Sequence, residues 1–387
     1  MSRACATLDA EWSILLAACS AVPSEQKGTR LRPLLQQPVR WQRLFALAQQ
    51  HGTQPLLRQG LSALEDAVPP EEFHFLEQSC RANLHKALLH ARELIRIIEH
   101  LSARGIEVMP YKGLALAEAL YGDMSLRQSG DIDLLIHPQD LRGIREAVGE
   151  LGYTPHQPLS EAQERAYLKS GYECAFDSAA GRNLLEVQWA IEPRFYAVDF
   201  DVEGLFQRAV DVTVAGHPMK TPSREDLLLV LSVHAAKHVW NRLLWLCDVA
   251  KLVNLPSLGW GRIQSQAKDL GIVRILRVTI LAANRLLGAV IPDAAKEGLP
   301  EDKAALALAE EISADILSEA EFDVESLAYF RLMMRLRERP ADRMRFLGRL
   351  VFTPGPSEWR SVRLPGPLFP LYRAVRLSRL AAKLVGA

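Results

Sequence analysis

The chain of 387 residues has no excess of either charge, since 46 Lys and Arg balance 46 Asp and Glu. No global field therefore steers it towards nucleic acid or an anionic membrane. Cysteine is scarce: Cys5, Cys19, Cys80, Cys174 and Cys247 are odd in number, scattered, and nowhere at C-x-x-C spacing. That argues against a disulfide framework or a zinc cluster and fits a reducing compartment. Long apolar runs are missing too, so no spanning helix is expected. Met1 leads within a few residues to Asp9 and Glu11, so no signal peptide is expected either. Repeats and low-complexity segments are absent. The expectation is a soluble, cytoplasmic protein with no membrane partner, long enough for two or three domains.

Most of the chain carries a helical pattern. Trp41, Leu44, Phe45 and Ala48 fall at three- and four-residue spacing, and Gly52 and Pro55 interrupt the pattern before a further short helix. Pro69-Pro70 opens a long helix from Glu71 to about Arg104, with Leu84, Leu88, Ala91, Ile95, Ile98 and Leu101 as its expected buried stripe. Its histidines (His74, His85, His90, His100) share no stripe and have no carboxylate at ligand spacing, so surface or packing roles are expected. From residue 202 onward the chain reads as helices again, including 223–239 and 241–254. Residues 301–330 hold nine Asp and Glu against one Lys, whereas 331–387 hold thirteen Lys and Arg against three Asp and Glu. The basic end is either a solvated face packed on the acidic segment or a surface for RNA phosphates.

One stretch breaks the helical pattern. Ile106–Tyr111 reads as a strand at an edge or irregular position, because it contains Pro110. Lys112-Gly113 makes a turn into a short helix, Leu114–Tyr121, and a second strand follows over Asp131-Ile132-Asp133-Leu134-Leu135-Ile136. Asp131 and Asp133 are two apart, so both project from one face of that strand. Paired carboxylates on a fixed strand suit Mg²⁺, which takes oxygen ligands and shares them with phosphates. A Gly turn opening a helix can receive phosphates on its backbone N–H groups, and Lys112 and Arg127 add charge for them. The bland reading of a bare D-h-D pattern is an ion-paired strand end. Further on, 172–177 and 183–191 read as a hairpin around Ser178–Arg182. In its second strand Leu184, Glu186 and Gln188 share a face, which makes Glu186 a candidate third carboxylate if this strand neighbours the aspartates.

His234 and His238 are four apart on one helical face, and Asn241, Trp245 and Asp248 extend that stripe if the helix is continuous. A zinc reading lacks a catalytic Glu. The histidines are either core-facing with satisfied hydrogen bonds or contacts to a base or acceptor in a cleft. Asp248 is read as a partner for Arg242 or a histidine.

The run Lys112-Gly113, Tyr121, Arg127-x-Ser129-x-Asp131-Ile132-Asp133-Leu134-Leu135-Ile136 resembles the signature of the uncharacterised nucleotidyltransferases of the polymerase-β superfamily. It is also similar to the K-G…R-x-S-x-D-h-D run of abortive-infection-type toxin nucleotidyltransferases. The likeness extends over roughly residues 40–255, with its specific part at 111–136. The resemblance implies Mg²⁺-dependent transfer of a nucleoside monophosphate from an NTP to an acceptor on a small molecule, RNA or protein. It assigns Asp131 and Asp133 as metal ligands in a two-metal site and Glu186 as the third acidic residue. It gives Lys112, Gly113, Arg127, Ser129, His234 and His238 to nucleotide binding. Three features depart from the pattern: Leu114 stands where the superfamily has Ser, Gln188 stands where relatives often carry His, and the Leu114–Asp131 spacing is longer than usual. The first two motivate a second reading, a nucleotide- or RNA-binding regulator or toxin-like protein of the same fold with weak or no transferase activity.

The expected architecture is α+β. An N-terminal helical region (1–104) precedes a small mixed nucleotidyltransferase sheet (105–200). A C-terminal helical region with the basic tail (201–387) closes a cleft over the sheet.

Overall fold

The computed structural model describes residues 8–385, apart from 159, 180, 182–183, 320–325 and 363. Cys5, Ala180 and Arg182 of the expected turn, and Glu321, Asp323 and Glu325 of the acidic segment lie outside the described residues, as do the side chains of Lys383 and Leu384. The fold is α+β: a small mixed sheet set among many helices.

Five strands form the sheet: β1 (Val108–Pro110), β2 (Ile132–Ile136), β3 (Tyr153–Pro155), β4 (Glu173–Ser178) and β5 (Leu184–Gln188). Their order is β1-β2-β5-β4-β3. Pro110, which cannot donate to a ladder, sits in the edge strand as its chemistry requires. β2 pairs antiparallel with β1 and parallel with β5, while β4 pairs antiparallel with both β5 and β3. The β2–β5 register puts Asp133 opposite Glu186.

The pleat sorts β2 into two faces. Ile132, Leu134 and Ile136 join Leu185 and Val187 of β5 in a core with Leu94, Ile97 and Leu101 of the long Pro70–Ser102 helix and Ile144 and Val148 of the Leu141–Glu150 helix. Each of these aliphatic side chains stabilises the fold by roughly 2 kcal/mol on burial. Asp133 and Leu135 take the opposite face, where Leu135 packs with Met109, Tyr111 and Val230. Val230 belongs to the Arg224–Lys237 helix, so that helix covers the carboxylate face.

Several local expectations change. On the long helix, Leu84 and Leu88 are exposed, and the buried row is Leu76, Ala87, Ala91, Leu94, Ile97 and Leu101. Three- and four-residue spacing permits either of two adjacent rows, and contact with the sheet selects this one. Residues 202–222 are not all helical. After a short Val202–Gln207 helix come β6 (Val210–Val214) and β7 (His217–Thr221), a hairpin with the two-residue turn Ala215-Gly216. The 223–254 stretch is two helices as expected, Arg224–Lys237 and Leu243–Val253, and between them Val239 and Trp240 adopt left-handed backbone at φ 55° and 49°. Trp240 is fully buried there and donates its indole N–H to Thr279 (3.0 Å). The N-terminal helices join the C-terminal ones in one large core that runs from Trp12 to Leu350. In the basic end, Arg335 pairs with Glu311 of the acidic segment (2.7 Å), and Arg376 and Arg379 pair with the buried Glu358.

Candidate active site

The site begins at the turn after β1. Gly113 opens the Gly113–Tyr121 helix with φ +55°, a left-handed conformation that favours glycine. A Cβ there would also lie 3.1 Å from Ser129 Oγ, so the two segments approach as closely as glycine permits. Lys112, the N-cap residue, makes no side-chain cap, and no acidic side chain occupies the first turn. The first N–H groups of this helix are thus not capped by a side chain, and the helix dipole favours an anion before them. Ser129 donates its hydroxyl to the Asp131 carbonyl (3.0 Å), which fixes the bend into β2.

Asp131 precedes β2 and Asp133 lies within it, and Glu186 comes from the adjacent β5. Oxygens of all three lie within 4.8 Å of one another, and among the described residues this is the one group of three or more side chains able to hold a metal. The donor set is oxygen throughout, as a hard divalent cation requires. Its charge is poorly balanced from inside the protein. Lys112 Nζ stands 3.4 Å from Asp133 Oδ1 and 4.7 Å from the Tyr111 ring centre. Burial works against the Lys112 ammonium, but Asp133 and Tyr111 outweigh it and hold its pKa well above the ordinary value. Burial, then Asp133, push the Asp131 carboxyl up to about 6. Glu186 rises to about 8 through burial and then the charges of Asp133, Glu173 and Asp131. Carboxylates so crowded gain from a cation among them.

Gln188 organises this cluster. Its Nε2 faces Glu186 Oε2 (3.2 Å), Asp133 Oδ1 (3.3 Å) and Glu173 Oε2 (3.3 Å). The Tyr111 hydroxyl donates to its Oε1, which orients the amide so that the NH₂ end meets the carboxylates. A neutral amide therefore spaces the acids without cancelling their charge. The sequence shows Gln188 on the face of Glu186, but Glu173 and Tyr111 escape it: the β4–β5 register sets Glu173 opposite Gln188, and Tyr111 reaches Gln188 from the end of β1. Burial raises the pKa of Glu173 as well.

Arg127 is buried, and its Nε donates to Asp248 (3.0 Å), which also accepts from the Tyr121 hydroxyl (2.9 Å). Asp248 is thus partnered by Arg127 and Tyr121, not by Arg242 or a histidine. Arg127 still exerts its charge on the site, lowering Asp131 against the effect of burial. The helix break notwithstanding, His234, His238 and Trp245 cluster, with ring centres 4.8–5.5 Å apart. Burial, reinforced by Lys112 and Lys237, drives His234 well below its ordinary pKa and His238 down to about 3. Both rings are neutral at pH 7.

The model of a family described as uncharacterised nucleotidyltransferase matches residues 37–288. The chain belongs to that family. The matched span contains every carboxylate of the cluster and the Gly113 turn, and it leaves residues 289–387 of this nucleotidyltransferase outside. Among solved structures, the chain is similar to ANT(2")-Ia in complex with adenylyl-2"-tobramycin, at 15% identity and a TM-score of 0.33, over 47% of this chain and 97% of that one. A comparison with curated proteins finds no match. No described helix of the nucleotidyltransferase is long and apolar enough to cross a membrane.

Proposed function

We propose that this nucleotidyltransferase moves a nucleoside monophosphate from an Mg²⁺-bound NTP to an acceptor hydroxyl, with Asp131, Asp133 and Glu186 as the metal-holding carboxylates. The observation that carries the reading is the convergence of those three groups from β2 and β5 within 4.8 Å. Mg²⁺ held there supplies charge stabilisation to the phosphates and eases deprotonation of the acceptor. Lys112 and the uncapped N–H groups after Gly113 receive the triphosphate oxygens at a helix N-terminus. Glu186 takes the acceptor's proton, since a general base has to sit within reach of the attacking hydroxyl. Gln188, fixed by Tyr111, keeps Asp133 and Glu186 in register. Arg127, committed through Nε to Asp248, acts as a buried charge behind the aspartates, and Ser129 shapes the turn that Gly113 fits against. His234 and His238, neutral beside Trp245, line the cleft as hydrogen-bonding and stacking groups for base or acceptor, His238 on the side of the adjoining cavity.

Incubation with α-labelled NTPs, Mg²⁺ and separate pools of small molecules, RNA and protein tests this. Label is expected on one acceptor pool and lost in Asp133→Asn. NTP binding with no label transferred to any pool would contradict transfer and favour a binding regulator.

A further inference from the structure

The order of strands sets a direction across the site. The phosphate-receiving turn follows β1, Asp131 and Asp133 sit just before and within β2, Glu186 on β5, and Glu173 on β4. Donor phosphates at the β1 side leave the β4 side for whatever approaches Glu186. A cavity of about 450 Å³ lies there, walled by Tyr172 just before β4 and by Lys237 and His238 at the end of the Arg224–Lys237 helix. The backbone of Tyr172 is pinned to the end of β5, accepting from Trp189 N–H (2.9 Å), and its neighbour Glu173 shares Gln188 with Glu186. His238 continues through His234 towards the Lys112 and Arg127 charges. The cavity and the carboxylates are therefore adjoining compartments.

The cavity has a definite chemistry. Tyr167, Tyr172, Phe195, Tyr329 and Phe330 contribute flat apolar surface. Among the described residues its lining carries three cations, Lys237, Arg376 and Arg379, and one carboxylate, Glu358. Lys237 pairs with Glu192 (2.9 Å), and Arg376 and Arg379 both pair with the buried Glu358. Tyr329, Leu350, Thr353, Glu358 and Arg379 all lie beyond residue 288, outside the family-matched span. The volume is that of a small-molecule site and not of a polymer groove.

The geometry points to this cavity as the acceptor pocket, built by the C-terminal helices for a small aromatic compound that carries a hydroxyl and a neutral or anionic, not polycationic, periphery. The inference rests on the nucleotidyl-transfer reading above. In the step it serves, the acceptor oxygen bonds to the α-phosphorus of the NTP and the bond from that phosphorus to the α,β-bridging oxygen breaks. Pyrophosphate leaves and the hydroxyl proton passes to Glu186.

The test uses 7-hydroxycoumarin-3-carboxylate as probe, titrated by fluorescence onto the full chain, beside calorimetry of Mg²⁺ with a non-hydrolysable ATP analogue. Thr353→Trp and Ser170→Trp fill the cavity from two different elements, so misfolding of one, seen by circular dichroism, leaves the other. Both are expected to weaken coumarin binding by roughly tenfold or more while analogue binding stays within about twofold, the loss of a packed ring being of that size. A coumarin bearing a polyamine in place of the carboxylate is expected not to bind. Equal coumarin affinity in the filled variants, no coumarin binding at all, or competition between coumarin and the analogue each overturns the acceptor pocket. Transfer of label to RNA or protein that both filled variants leave unchanged overturns it too. Absence of analogue binding by the native chain is a different failure, that of the transfer reading itself.

Discussion

Gly113 carries the tightest constraint in the site. Its φ of +55° and the 3.1 Å approach of a would-be Cβ to Ser129 Oγ act together. Gly113→Ala is expected to cost about 1–2 kcal/mol of stability, the usual penalty of a left-handed L-residue. Urea unfolding checks this, and an unchanged midpoint would show that the turn relaxes freely. Glu186 and Asp131 make a second residue-scale claim. Their carboxyl pKa values are raised to about 8 and about 6, so in metal-free protein at pH 7 Glu186 holds its proton. A cation has to displace it, so apparent Mg²⁺ affinity should climb between pH 6 and pH 8 and level off above. A raised carboxyl pKa stabilises the fold only while the group is protonated. Metal-free protein should accordingly lose stability as pH rises from the ordinary carboxylate range through about 8, and Mg²⁺ should restore it. Calorimetry in two buffers of different ionisation enthalpy counts the released protons. About one at pH 7 is expected, and none would contradict the protonated Glu186.

At the scale of elements, the β2 strand and its two aspartates are legible in sequence. A D-h-D pair set in four aliphatics has one way to lie on a pleat, and Glu186 follows once β5 is placed beside it. The partners of those residues are not legible. Gln188 meets Asp133 across 55 positions and Arg127 meets Asp248 across 121, and no local pattern encodes either distance. The boundary near residue 240 is legible in the 223–254 stretch, but the left-handed backbone of Val239 and Trp240 that makes it has no composition signal. The β6–β7 hairpin hides for the opposite reason, since Pro218 and the polar His217 and Lys220 dilute its alternation. Its turn supplies a prediction of its own. Ala215 is exposed at φ 48° beside Gly216 at φ 83°, the backbone of a two-residue turn that prefers Asn-Gly. Ala215→Asn should therefore stabilise by about 0.5–1 kcal/mol with nucleotide binding unchanged. A thermal melt that fails to rise would show that the hairpin pays no penalty for alanine.

Across the whole molecule, the helices serve the sheet in two ways. The N-terminal helices reach the site's cover directly: His51 accepts through Nδ1 from Leu243 N–H (3.2 Å), and its carbonyl accepts from Leu244 N–H (3.2 Å). The C-terminal helices are clamped on by Arg337, which is buried, donates to the carbonyls of Met333 and Tyr196, and lies 4.0 Å from the Phe346 ring centre. Tyr196 sits a few residues past β5, so this clamp ties the segment beyond residue 288 to the strand that bears Glu186. A basic amphipathic tail is visible in sequence, but its role as a wall beside the site depends on that long-range anchor. In the proposed reaction, Asp131 and Asp133 hold the metal through which an NTP binds. Calorimetry of Mg²⁺ and a non-hydrolysable NTP analogue with the Asp131→Asn, Asp133→Asn double variant tests it most directly. The account expects Mg²⁺-dependent binding to fall by roughly 100-fold or more, about 3 kcal/mol, with the circular dichroism of the native chain retained. Undiminished binding in the folded double variant would contradict it.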